Sequence, residues 1–385
     1  MFFFIVLLTV YTTYWLQDIF PQTTTVLRIY QVRGIGTFCL TLIALIFFQE
    51  PHHKVSGWQI FLINSSFVIM IAQVIYSFFL IINDIVYSVF AMRGWFNWIW
   101  FAAAVGFILI SIYWSKWWKY RYTVHKQILY FDDLPESFDG TKIMQVSDIH
   151  SGSFNRKAAV EAGVELIKSH EVDIFVFTGD LVNNDAHEFT AWKDVFSGIT
   201  APLGQYSILW NHDYWDYVAW KSAQEKNENM ELLKQHHADI WWRLLLDEHI
   251  RIEKDWDILV IAWVENRGDS FSRYGDLQKA LDGIEHHHFT VLLSHDPSHW
   301  WKQIKPHPKH VHLTLAGHTH GMQLGFDFSW FKRSPIKYRY KHRAGLYEDK
   351  WQHLYVNRGF GFLGLSARVG MWPEITIIEL KKGKK

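Results

Sequence analysis

Hydrophobic and polar positions divide the chain into two unlike parts. Up to residue 118, charge occurs only at Asp18, Arg28, Arg33, Glu50, Lys54, Asp84, Arg93 and Lys116, eight of the chain's 76 charged side chains. Four stretches carry none: Met1–Gln17, Gly34–Gln49, Trp58–Asn83 and Trp95–Ser115. About 20 mainly apolar residues cross a bilayer as a helix, so the pattern predicts about four spanning helices, the first two being short. A secretory signal at the N-terminus is disfavoured, since no basic segment precedes Leu8 and no small-x-small cleavage site follows it. Lys54, Lys116, Lys119, Arg121 and Lys126 flank one side, and Arg28, Arg33 and Arg93 the other. By the positive-inside rule the first group faces the cytoplasm, which predicts a multi-pass cell-membrane protein with a cytoplasmic C-terminal domain.

After residue 118 the pattern changes to short apolar runs separated by helical spacing. Strands are predicted at Lys142–Val146, Ile174–Phe177, Gln205–Leu209, Ile258–Ala262, Phe289–Leu293, His312–Leu315, His353–Val356 and Ile375–Leu380. Val160, Val164 and Ile167 share one helical face within Lys157–Lys168. Buried strands alternating with amphipathic helices indicate an α/β fold. The expected division is a transmembrane domain at 1–118, a linker and leading strand at 119–140, and a catalytic domain at 141–385. Trp220–His237 is expected to be a surface helix rather than a cap over the site. The closing Lys381, Lys382, Lys384 and Lys385 are expected to form a solvated tail, with anionic lipid as a second option.

Composition then narrows the chemistry. With 38 basic and 38 acidic side chains the net charge is zero, so nucleic acid is not an expected partner. The single cysteine, Cys39, excludes a disulfide framework, a cysteine-rich zinc site and a cysteine-based phosphatase. The residues following each strand are the informative ones: Ser147-Asp148-Ile149-His150, Thr178-Gly179-Asp180, Asn211-His212-Asp213, Ser294-His295-Asp296 and Gly317-His318-Thr319-His320. Groups at the carboxyl ends of strands in such sheets converge on one crevice. Asp, His and Asn suit manganese, iron or zinc, and an aspartate can bridge two cations. Each motif alone is weak among 22 histidines, but five in order after apolar strands are not. His52-His53, His236-His237 and His286-His287-His288 follow no such pattern and are expected in solvated loops or helix ends.

These five blocks resemble the calcineurin-like metallophosphoesterase superfamily. Tyr355-Val356-Asn357-Arg358-Gly359 and Pro373-Glu374-Ile375-Thr376 are similar to its bacterial membrane-linked branch, which includes enzymes like the UDP-2,3-diacylglucosamine pyrophosphatases. The resemblance implies a four-layer α/β/β/α sandwich and two divalent metal ions, with manganese favoured over iron or zinc. It implies that Asp148, His150 and His320 hold one metal, and that Asn211, His295 and His318 hold the other. Asp180 would bridge them, His212 would serve as general acid, and Asp213 would orient His212. The implied reaction is hydrolysis of a phosphodiester, pyrophosphate or phosphomonoester by a metal-bridging hydroxide, on a phosphorylated small-molecule or lipid-linked substrate. Ser294 lacks the surroundings of a nucleophile elbow.

One residue departs from that pattern: Trp210 stands where the family has glycine. Trp215, Trp241, Trp256 and Trp263 also occupy positions where relatives lead one to expect glycine, and Arg267, Arg333 and Arg343 positions where tryptophan is expected. A gene in which UGA means glycine and some CGN codons mean tryptophan, translated with UGA read as tryptophan and CGN as arginine, would write this double exchange. Trp210 is also the one feature favouring the alternative reading, a membrane sensor or scaffold with a degenerate site. A transporter is disfavoured, because the apolar segments lack a run of ionisable residues.

Overall fold

The computed structural model describes residues 117–384 apart from 215–219, 266–274, 328–331, 335–339 and 365. In the first 116 residues it describes 11–13, 72, 74–82, 84–85 and 95–116. The chain divides into two compact units, Met1–Lys116 and Trp117–Lys385. In the first unit, a 23-residue helix, α1 (Trp95–Trp117), coincides with the fourth charge-free stretch. Among the described residues no helix is long and apolar enough to cross a membrane. The predicted helices at Met1–Gln17 and Gly34–Gln49, and much of the one at Trp58–Asn83, lie outside the described residues.

The second unit is built on two six-stranded mixed sheets. The first contains β1 (Thr123–Phe131), β2 (Lys142–Val146), β3 (Ile174–Phe177), β4 (Gln205–Ser207), β5 (Arg243–Leu244) and, between β1 and β2, β14 (Glu374–Lys382). The second runs, in spatial order, β12 (Gly345–Asp349), β13 (Gln352–Val356), β9 (Leu313–Ala316), β8 (Phe289–Leu293), β7 (Asp257–Trp263) and β6 (His249–Lys254). A two-stranded ribbon, β10 (Phe326–Asp327) and β11 (Lys332–Arg333), stands apart. β2, β3, β4 and β5 are mutually parallel, as are β7, β8, β9 and β13.

Alternation along the strands produces the layers, because successive side chains point to opposite faces. Ile143, Ile174 and Val176 from the first sheet meet Leu259, Ile261, Val291, Leu293 and Leu315 from the second in a core between the sheets. The alternate residues Met144, Val146, Phe175 and Phe177 pack outward against Val160, Val164 and Ile167 of α2 (Lys157–Lys168). On the other side, Val260, Ala262 and Leu292 pack against helical Leu277, Ala280 and Leu281. The result is helix, sheet, sheet, helix, with every strand predicted from the sequence present and β5, β6, β10, β11 and β12 added. β1 lies in the 119–140 segment expected to hold a linker and leading strand, and it pairs along its whole length with β14.

Two expectations about histidines are corrected. His236 and His237 lie at a helix end, one of the two expected places, but are buried. They lie on the helix Ala223–Asp239, where His236 Nε2 lies 3.0 Å from the Ala186 carbonyl. His288 is also buried, while His286 and His287 are exposed as expected.

Candidate metal centre

The carboxyl ends of β2, β3 and β4 in one sheet, and of β8 and β9 in the other, lie at one pole. The chain leaves each strand there directly into one motif. Asp148 and His150 follow β2, Asp180 follows β3, and Asn211 and His212 open the short helix Asn211–Tyr214 after β4. His295 follows β8, and His318 and His320 follow β9. Ligand atoms of Asp148, His150 and His320 lie within 4.8 Å of one another, as do those of Asp180, His295 and His318. The first trio is the one the family resemblance implies; the second joins the bridging aspartate to both histidines of the other set.

The two groups are continuous. His150 Nε2 is 3.1 Å from His320 Nε2 and 3.7 Å from Asp180 Oδ2. His295 Nε2 is 3.5 Å from Asp148 Oδ1 and 3.3 Å from Asp180 Oδ2. Both aspartates, His150 and His295 are buried. Five of these residues hold a left-handed backbone: Asp148 (φ 52°), His150 (46°), Asp180 (62°), His318 (70°) and His320 (48°). Such a conformation costs a non-glycine residue about 1–2 kcal/mol, and clustered strain of this kind marks functional sites. Gly359 and Gly361 make room for the turn after β2. A Cβ on Gly361 would sit 1.8 Å from the Ile149 carbonyl oxygen.

Electrostatics shows what the site calls for. His295 donates its Nδ1–H to the Thr178 carbonyl at 2.5 Å, which leaves the Nε2 lone pair pointing at two carboxylates without a hydrogen-bond partner. A lone pair facing carboxylate oxygens is repulsive unless a proton or cation lies between them. Accordingly, burial disfavours charge on His295, but Asp148 and Asp180 outweigh it and raise its pKa to about 9. Burial likewise opposes ionisation of Asp148, yet His320 and His295 hold it well below the usual carboxylate range. Burial lowers the pKa of His150, and that of His318 to about 4, keeping both rings neutral and able to ligate. Hard and borderline donors converging where a buried imidazole must take up positive charge between two carboxylates fit a pair of divalent cations.

His320 is set differently. Its Nδ1 accepts from Arg368 Nη2 at 3.2 Å, which places any N–H of the ring on Nε2, 3.1 Å from Asp148 Oδ1. To hold a cation through Nε2, the ring would take the other tautomer and give up the Arg368 hydrogen bond at Nδ1. Arg368 is fully buried and also donates to the carbonyls of Gly359, Gly361 and Met371. Sequence reading missed it, since no spacing ties Arg368 to the five motifs. It also missed Tyr340, whose hydroxyl lies 2.8 Å from His318 Nε2.

His212 and Asp213 are at the site, but their expected partnership is corrected. Asp213 accepts from the backbone N–H groups of Asp180, Leu181 and Trp210 at 2.8–2.9 Å, tying the turn after β3 to the turn after β4. Burial and the Asp180 charge push its pKa up, and these N–H donors oppose the rise. The His212 ring is instead oriented by the Asn183 carbonyl, 2.7 Å from its Nδ1, and lies edge-on to His150 with ring centres 4.9 Å apart.

Trp210 does not displace this arrangement. It is buried, its backbone lies outside the left-handed region, and its ring packs on His295 with centres 5.2 Å apart. Its indole N–H is buried without a hydrogen-bond partner, a defect of about 1–3 kcal/mol. Trp263 is a buried strand residue between the sheets. Trp241 and Trp256, by contrast, have φ of 62° and 73°, as glycine would allow. Trp215 and Arg267 lie outside the described residues.

Known proteins place this geometry. The chain is 29% identical over 252 residues to an uncharacterised metallophosphoesterase, YkuE, of Bacillus subtilis, covering 64% of this chain and 82% of that protein. It is 28% identical over 259 residues to a zebrafish (Danio rerio) transmembrane protein with metallophosphoesterase domain, covering 65% of this chain. The match spans only 55% of that zebrafish protein's length. A metallophosphoesterase of Aquifex aeolicus is 26% identical over 266 residues, 68% of this chain and 93% of that protein. The sequence profile of the calcineurin-like phosphoesterases matches residues 141–365, from just before β2 through β13 and the turns around Gly359 and Gly361. The chain therefore belongs to the calcineurin-like phosphoesterase family and is a metal-dependent phosphoester hydrolase.

Proposed function

We propose that the protein is a membrane-anchored hydrolase of phosphodiester or pyrophosphate bonds, acting on a lipid-linked substrate from the cytoplasmic side. The observation that carries the hydrolytic part is the convergence of Asp148, His150, Asp180, His295, His318 and His320 at one pole beside His212. Asp148, His150 and His320 would hold one cation and Asn211, His295 and His318 the other, with Asp180 between them. Bound there, the cations would lower the pKa of a water molecule and polarise the phosphoryl oxygens. Manganese suits this donor set, as do iron and zinc. The chain's own residues supply the rest. His212, whose Nδ1 donates to the Asn183 carbonyl, would act in its protonated form as general acid toward the leaving oxygen through Nε2. Asp213 fixes the turn that carries Asn211 and His212 against the Asp180 turn.

The membrane part rests on the four charge-free stretches and on the zebrafish relative's name, which calls that protein transmembrane. Exposed apolar side chains also support it: Val74, Phe78, Ile81 and Ile85 share one helical face, and Val105, Leu109 and Ile110 are exposed on α1. The similarity to the UDP-2,3-diacylglucosamine pyrophosphatases favours a diester or pyrophosphate bond over a monoester.

The test is hydrolysis of bis-p-nitrophenyl phosphate by the full chain in detergent, beside p-nitrophenyl phosphate. Cleavage of the diester in preference, stopped by EDTA and restored by manganese, is expected. Preference for the monoester would overturn the bond assignment, and no metal-dependent cleavage of either would overturn the enzyme reading.

A further inference from the structure

The direction of β1 decides where the chain joins the catalytic unit. β14 is antiparallel to β2, and β1 is parallel to β14 with Thr123 opposite Glu374. β1 therefore begins at the pole where β2 ends, so the segment 117–122 lies beside the metal centre and not behind it.

Contacts on both flanks bear this out. Tyr120 Oη donates to Asn155 Oδ1 at 2.9 Å and accepts from the Asn155 N–H at 3.0 Å. Asn155 follows the turn Ser151–Ser153, and Ser153 Oγ accepts from Asn183 Nδ2, the residue whose carbonyl orients His212. On the other flank, Lys119 Nζ donates to Ser366 Oγ at 2.7 Å and lies 4.4 Å from the Phe362 ring centre. Arg368 spans from the Trp372 carbonyl to the metal-centre histidine His320.

The outward side of this junction is aromatic and basic. Trp117 is 47% exposed, with the Arg156 guanidinium 4.2 Å from its ring centre. Trp118 and Trp372 pack edge to face, and Arg121 lies 5.5 and 5.4 Å from their centres. Amphipathic indoles interleaved with guanidinium groups are the chemistry of a headgroup layer carrying negative charge. The opposite pole differs: Lys381, Lys382 and Lys384 of the closing tail are engaged by Glu379, Glu136 and Asp132.

We propose that this patch rests on an anionic phospholipid surface, so that the catalytic crevice opens at the membrane and receives phosphoesters presented by lipid. The proposal rests on the membrane reading of the N-terminal unit given above. It is tested with the full chain carrying Cys39→Ser, reconstituted in phosphatidylglycerol–phosphatidylcholine vesicles, with a spin label at Lys157→Cys near the patch or at Asp282→Cys at the far pole. Relaxation by a nickel-chelating lipid headgroup is expected to be several-fold stronger at 157. Equal or stronger relaxation at 282, with bis-p-nitrophenyl phosphate hydrolysis intact, would overturn the orientation and leave the enzyme standing. A chain that does not remain with the vesicles would overturn the membrane reading and this proposal together. Arg121→Glu combined with Arg156→Glu is expected to lower hydrolysis of a vesicle-borne phosphodiester lipid several-fold while leaving the soluble diester unchanged. Equal loss on both substrates, or no loss on either, would remove the patch from substrate access.

Discussion

The two poles of the sandwich use the same unusual backbone conformation for different ends. At the catalytic pole, Asp148, His150, Asp180, His318 and His320 sit at φ between 46° and 70°. At the opposite pole, Trp241 before β5 and Trp256 before β7 sit at 62° and 73°. The dihedral penalty is similar, about 1–2 kcal/mol for each. At the first pole it turns carboxylates and imidazoles toward a common point. At the second the indoles point into solvent, Trp241 being 79% exposed and Trp256 fully so. Asp255 and Trp256 form the two-residue turn between β6 and β7, both at positive φ, where Asp-Gly is the favoured pair. Left-handed strain thus points to function only where the side chain uses it. At 241 and 256 the backbone asks for glycine, which agrees with the Trp-for-Gly exchange seen in the sequence. At 210 and 263 it does not.

The sharpest way to break this comparison is to delete a side chain from each pole. Asp180→Ala should reduce diester hydrolysis about 10³-fold or more, because it removes a buried charge from the centre of the site. Trp256→Ala should leave turnover unchanged. Similar effects from both would end the distinction. His212→Gln should lower kcat by about 10²–10⁴-fold with little change in KM, as loss of a proton donor does. A change confined to KM would make His212 a binding residue.

The junction offers a pH test. Burial, then the Arg156 charge, pushes the Lys119 pKa down to about 8. The unfolded chain, with an ordinary lysine, binds more protons between pH 8 and 10.5, so stability should rise with pH across that window. Lys119→Met should remove that rise, at most about 3 kcal/mol, in urea titrations at several pH values. A rise that persists in the variant would assign it elsewhere. The smallest expected effect is at the far pole. Trp256→Gly and Trp241→Gly should each stabilise the fold by about 0.5–1 kcal/mol, since relief of strain exceeds the added chain entropy. Destabilisation by either would mean that its tryptophan makes a contact worth more than the strain. Codons other than UGA at both positions would remove the translational explanation.

Legibility in the sequence followed burial. β2, β3, β8 and β9 are apolar runs buried on both faces, so their limits and the motifs after them were plain. β6 and β12 mix polar and apolar residues at sheet margins and β5 is only two residues long, so tertiary pairing alone makes them strands. The clustered aspartates and histidines were legible because their residue types are rare in that order. Arg368 and Tyr340 were not, because they act through rings that the chain brings close only on folding. Asp213 was misread for the same reason. Adjacency to His212 suggested a partner, but the helix Asn211–Tyr214 directs its carboxylate to backbone N–H groups instead.

The central claim is that these residues form one two-cation centre. Metal content of the full chain, stripped with EDTA, reloaded with manganese and desalted, tests it most directly when measured beside diester hydrolysis. About two manganese ions per chain are expected, with activity returning in step, and Asp180→Ala should retain fewer. Full hydrolysis by the stripped protein, or undiminished loading of the variant, would contradict the account.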